Sequence, residues 1–145
     1  MKLEVEACVR RLAVAPFGVL GTLDVQHGVH QIPVVFATYD DVLVIPVDRV
    51  KPKQTTALRR IANLESDARA SLLVDHRTAD WDDLWWVRAD LRFGAQIEPN
   101  VEWMDRLASK YPAYRDRDTV ASLLELHIHR LSGWSASPDD YLAGR

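Results

Sequence analysis

The chain has 145 residues, of which 48% are hydrophobic and 27% charged, the proportions of an ordinary globular protein long enough to bury one core. This excludes a disordered tail and a collagen-like repeat, and a lone cysteine, Cys8, excludes a small disulfide-stapled scaffold. A formal net charge of −3 provides no overall positive field for nucleic acid or anionic lipid.

Residues 4–13 place Val5, Cys8, Val9 and Leu12 at helical spacing, predicting a short amphipathic helix. Glu4 and Glu6 interrupt the first eleven residues, which therefore do not read as a signal peptide. No stretch approaches the roughly 18 apolar residues of a membrane span. The expectation is a single cytoplasmic domain over residues 1–145, with no membrane or nucleic-acid partner.

From Phe17 to Leu23 the chain is β-prone, and residues 24–28, ending in Gly28, supply a turn. A second strand runs from Val29 to Thr38 with His30, Ile32, Val34 and Phe36 on one face. Pro33 lies inside it and offers no ladder N–H, so an edge or a bulge is expected there. Asp40 and Asp41 turn the chain into a third strand, Val42 to Val47. A helix follows Pro52, with Leu58, Ile61, Ala62 and Glu65 on one stripe, and Arg69 to Asp75 forms a fourth strand. A polar loop then carries Asp80, Asp82 and Asp83.

The clearest strand signal spans residues 85–98. Trp85, Val87, Ala89, Leu91, Phe93, Ala95 and Ile97 alternate with mostly polar residues, so one face is dry and the other wet or functional. Gly94 marks a bend. Asn100 caps a helix with Val101, Met104, Leu107, Ala108 and Tyr111 inward, and a last strand over residues 122–131 alternates Leu124, Leu126 and Ile128 with Glu125, His127 and His129. The sum is a mainly β (α+β) protein: a six-stranded antiparallel split barrel with two or three flanking helices.

Residues 48–60 hold five basic side chains against one acidic, a local charge of +4 that leaves −7 for the rest. Cations just before a helix suit an anion, because the first-turn N–H groups point outward; a solvated charge run is the competing reading. Trp85 and Trp86, consecutive on a strand, must face opposite ways. One fills the core, and the other lies beside Arg88, where it stacks on a planar ligand or packs in a subunit contact. His127 and His129 share a face but lack the third and fourth ligands of a zinc site. Ser71, Asp75 and His76 have no nucleophile elbow around them. Neither GxGxxG nor a Walker motif occurs. An anion site beside an aromatic wall fits a planar, phosphate-bearing ligand better than side-chain acid–base chemistry, and no side chain is assigned a catalytic role.

The segments Gly-Val-His-Gln-Ile-Pro-Val-Val-Phe-Ala (28–37), Val-Asp-Arg-Val-Lys-Pro-Lys-Gln-Thr (47–55), Ser-Leu-Leu-Val-Asp-His (71–76), Asp-Leu-Trp-Trp-Val-Arg-Ala-Asp (83–90) and Ser-Gly-Trp-Ser-Ala (132–136) together resemble one family. It is the pyridoxamine 5′-phosphate oxidase-like split-barrel family of FMN-binding type, in its deazaflavin (coenzyme F420)-dependent branch. The resemblance runs from about Arg11 to Ala136. It implies an F420-dependent oxidoreductase acting on a small-molecule substrate, with FMN as the alternative cofactor, and a homodimer with two cofactor sites between the protomers.

By the same resemblance Val29, His30, Pro33, Val47 and Asp48 line the cofactor rings. Lys51, Lys53, Gln54 and Thr55 hold its phosphate, and Trp85, Trp86 and Arg88 come from the opposite subunit. The chain departs from the pattern at Gln54, where similar sequences carry arginine, a change that removes a charge-assisted contact worth about 1.5–3 kcal/mol. A non-enzymatic carrier of a cofactor, haem or another tetrapyrrole is the further alternative.

Overall fold

The computed structural model describes residues 1–49 and 56–138, the side chains of residues 56–58 excepted. The elements in chain order are α1 (Val5–Val14), β1 (Gly18–Asp24), β2 (Gly28–Val34), β3 (Ala37–Tyr39), β4 (Val42–Asp48), α2 (Thr56–Ser66), β5 (Arg69–His76), β6 (Trp85–Ile97), α3 (Val101–Lys110) and β7 (Val120–Ser135). The strands form one antiparallel sheet in the order β2-β1-β5-β6-β7-β4-β3. Among the described residues no helix is long and apolar enough to cross a membrane.

The sheet curls until its two halves share a core. Leu20 of β1 and Val34 of β2 pack in the same cluster as Leu43 and Ile45 of β4, with Leu72, Val87, Leu91 and Leu124 between them. Leu3, Cys8 and Leu12 add α1 to that cluster, and Leu64 with Ile61 adds α2. A second cluster lies outside the barrel, where Met104 and Leu107 of α3 meet Val44, Val120 and Leu123.

Seven strands replace the expected six because residues 29–38 divide into β2 and β3. Pro33 does lie on an edge strand, since β2 ends the sheet. The Gly94 expectation also holds: β6 changes register against β7 between Phe93 and Ala95, and a Cβ on Gly94 would stand 3.1 Å from the His127 ring. Past this bulge the dry face changes sides. Ala95 is exposed, and Ile97 packs in the outer cluster under α3.

Two helical stripes are rotated from expectation. In α1 the buried residues are Ala7, Cys8, Arg11 and Leu12, while Val5 and Val9 are exposed. Arg11 is wholly buried, its guanidinium 5.3 Å from the Trp85 ring centroid, so a cation–π contact takes the place of an aliphatic one. In α2 the inward residues are Arg60, Ile61, Asn63 and Leu64, while Ala62 and Glu65 face solvent. In α3 the expected Met104, Leu107, Ala108 and Tyr111 do face inward, and Val101 alone of the expected residues departs, 76% exposed in the first turn beside Asn100, whose side chain accepts the Trp103 N–H at 3.0 Å.

Candidate functional site

The polar face of α2 is docked on the β1–β2 hairpin. Asn63 Nδ2 donates to Thr22 Oγ1 at 3.1 Å, with both residues buried. Arg59 Nη1 meets Asp24 Oδ2 at 2.6 Å. Asp24 also accepts the N–H groups of Gln26 at 2.9 Å and His27 at 3.2 Å, so one carboxylate closes the hairpin turn and anchors the helix. Those donors, Gln26 first and then Arg59, hold the Asp24 carboxyl well below the usual carboxylate range. The turn ends in Gly28 at φ 87°, left-handed backbone that glycine adopts without Cβ strain.

His30 pairs with Thr22 across this hairpin and points inward beside the docked helix. Its Nδ1 is buried with no hydrogen-bond partner among the described residues, and so is Nε of Arg60 on the inward face of α2. Burial pulls the Arg60 guanidinium below its ordinary range, opposed by the charge of Asp48. Asp48 ends β4 at a register break with β7 and accepts a hydrogen bond from the Tyr114 hydroxyl at 3.0 Å. Burial, reinforced by that carboxylate, pushes the Tyr114 hydroxyl upward, so the phenol stays a donor. Two buried nitrogens without a partner among the described residues, the Arg60 Nε–H donor and a His30 ring nitrogen that donates or accepts by tautomer, fit a polar ligand group. Lys51, Lys53, Gln54 and Thr55, the expected phosphate holders, lie outside the described residues.

The other expected residues divide by face. Trp85 turns into the barrel and is 6% exposed, stacked on His76 at 6.0 Å opposite Arg11, so it presents almost no surface to a ligand. Val47 also packs against the inner core. Trp86 lies on the outer face with the Arg88 guanidinium 5.7 Å from its ring centroid. Val29 (71% exposed) and Pro33 are uncovered on the same side of β2. A cross-strand row joins Pro33 to Val19, Leu73, Arg88 and Ser132, and beside it Leu73, Asp75, Leu84, Trp86 and Arg88 line a groove of about 270 Å³.

Strand β7 pairs Arg88 at Ser132 but Val47 at Ser122, so this outer face and the end of β4 meet it ten residues apart. The outward apolar residues Val19, Leu73 and Trp134 remain uncovered, a pattern typical of an interaction surface.

Sequence reasoning missed the polar dock Thr22–Asn63 and the buried Arg11, because it assumed that helix faces meet the core through apolar side chains. The signal for the dock was present: Thr22 alternates with Leu20 and Asp24 on one strand face, and Asn63 follows Arg59 and Arg60 at helical spacing. Near the histidines, His127 Nε2 stands 3.6 Å from Glu125 Oε1, and no group of three or more potential metal ligands occurs among the described residues.

No protein-family model matches the chain, and no curated protein matches it. Solved structures do. An FAD-binding protein from Mesorhizobium loti superposes with a TM-score of 0.67 at 17% identity, covering 92% of this chain and 93% of the other. An FMN-binding protein from Syntrophomonas wolfei gives 0.63 at 15% identity, covering 86% and 80%. A heme storage protein from Vibrio cholerae gives 0.61 at 13% identity, covering 90% and 94%. The fold is that of the split barrels.

Proposed function

We propose that the chain is an oxidoreductase that binds coenzyme F420, with FMN as the alternative, at two sites between the protomers of a homodimer, and acts on a small organic acceptor. The fold it shares with flavin-binding proteins supports the cofactor class. The observation that carries the reading is the division of the expected residues. The Trp86–Arg88 wall and the end of β4 that carries Asp48 meet β7 at Ser132 and Ser122, ten residues apart along that strand, and in this proposal a second copy joins them into one pocket.

When bound, the reduced deazaflavin supplies a hydride from ring carbon. The chain's own residues bind and orient. Lys51 and Lys53 provide charge for the phosphate and Thr55 a hydroxyl donor, while Gln54 gives an amide in place of a cation. The α2 helix behind them is held in register by Asn63 and Arg59. Val29 and Pro33 offer an apolar edge to the rings, Trp86 of the other protomer a stacking face, and Tyr114 fixes the Asp48 carboxylate. Arg60 offers a buried donor, and His30 a buried ring nitrogen that donates or accepts by tautomer. These contacts orient a ring against a substrate and exclude water; proton delivery is left to solvent.

Titration of the purified protein with F420 and with FMN, followed by fluorescence and absorbance, tests the proposal. Saturable binding of one of them, with turnover across an acceptor panel, is expected; binding of neither contradicts it. A second reading, storage of haem or another tetrapyrrole, draws on the fold shared with the heme storage protein and predicts tight binding with no turnover.

A further inference from the structure

On another side of the molecule, α3 and β3 enclose a groove of about 590 Å³ that the proposed cofactor site leaves unused; Ala13 of α1, Thr38 and Tyr39 of β3, and Glu102, Arg106 and Lys110 of α3 lie on its walls. Lys110 is half-buried. The ammonium Nζ lies 3.8 Å from the Phe36 ring centroid and donates to the Phe36 carbonyl at 3.1 Å, and no carboxylate among the described residues pairs with it. Burial pushes this amine down to about 8. Burial with no carboxylate partner among the described residues disfavours the ammonium, and the free amine is a nucleophile.

Arg106 stands one turn earlier on the same helix face. It too lacks a carboxylate partner among the described residues; its guanidinium lies 3.8 Å from the Tyr39 ring centroid and 6.0 Å from that of Trp103. Of the groove's two acids, Asp105 is taken by Arg117 at 2.9 Å, and Glu102 is exposed at helix spacing from Arg106 without pairing to it. The remaining titratable neighbours of the amine are Tyr39 and Tyr111, the latter with its ring centroid 5.3 Å from Nζ; α1 contributes only Ala13 to the lining.

We propose that this groove is a second ligand site, in which Lys110 forms a reversible imine with a small carbonyl compound that carries a carboxylate, and Arg106 binds the carboxylate. The Nζ lone pair attacks the carbonyl carbon and the nitrogen loses a proton to solvent. The carbinolamine oxygen is then protonated and leaves as water as the C=N bond forms. Nothing is oxidised or reduced, and hydrolysis restores the free amine.

The test is reductive trapping on the full chain, with glyoxylate and cyanoborohydride at pH 7.5 and peptide mapping to separate Lys110 from Lys2 and the amino terminus. At that pH an amine titrating near 8 is about one quarter neutral, against about one part in a thousand for an ordinary lysine. Lys110 is expected to be labelled at least about tenfold faster than Lys2, with a half-maximal rate near pH 8. Arg106→Gln should slow glyoxylate labelling about tenfold, the loss of one charge-assisted contact, while leaving labelling by uncharged propanal unchanged. Equal labelling of Lys110 and Lys2, or an Arg106→Gln effect equal for both aldehydes, overturns the proposal.

Discussion

Removing the amide that docks α2 should loosen the helix that presents the proposed phosphate site. In Asn63→Ala the Thr22 hydroxyl loses its 3.1 Å donor in a buried setting. A buried polar group left unsatisfied costs about 1–3 kcal/mol, or about 3–10 °C in midpoint for a chain of this length. Urea unfolding of Asn63→Ala, Thr22→Val and the double variant Thr22→Val/Asn63→Leu measures this. Removing both partners leaves no orphan, so the double variant should be more stable than the sum of the single changes predicts, with a coupling of about 0.5–3 kcal/mol. Cofactor affinity should fall in Asn63→Ala and recover in part in the double variant. Additive single effects, or a stable Asn63→Ala with unchanged affinity, would refute the dock.

Three further outcomes follow from the packing. Gly133→Val should cost about 1–3 kcal/mol by thermal unfolding, because its Cβ would stand 2.9 Å from both Cys8 Sγ and the backbone oxygen of Trp86. Leu73→Glu, placed opposite Arg88 on the adjacent strand and so supplied with a cross-strand partner, should leave the protomer folded by circular dichroism but shift the proposed dimer to monomer in sedimentation. Lys110 is held below its unfolded value, so the unfolded chain binds more protons between the folded value near 8 and the ordinary 10.5. Stability should therefore rise with pH through that window, and Lys110→Met should flatten the rise in a urea midpoint series.

Strand identity was legible wherever one side of a strand stayed dry along its length. The alternation of Trp85, Val87, Ala89 and Leu91 maps directly onto the barrel interior, and it also placed Trp86 and Arg88 outside. Alternation failed beyond Phe93, since a bulge reverses faces without changing composition. Helix faces were less legible than strands. A stripe rule that counts apolar positions cannot anticipate that α2 meets Thr22 and Asp24 through Asn63 and Arg59, or that α1 buries Arg11 against Trp85. The candidate site was legible as residue types but not as faces. Val29 and Pro33 on one side of β2 and His30 on the other have separate surroundings, and Trp85 belongs to the core.

Subunit complementation tests most directly whether the pocket is assembled from two copies. One variant carries Lys51→Glu and Lys53→Glu, the other Trp86→Ala and Arg88→Ala, and each alone should lose cofactor binding while still dimerising. After mixing in equal amounts and re-equilibration, half the dimers are mixed and each has one intact site, so about a quarter of the wild-type binding sites should return. Recovery of no sites in verified mixed dimers, or undiminished binding by either variant alone, would contradict a shared site.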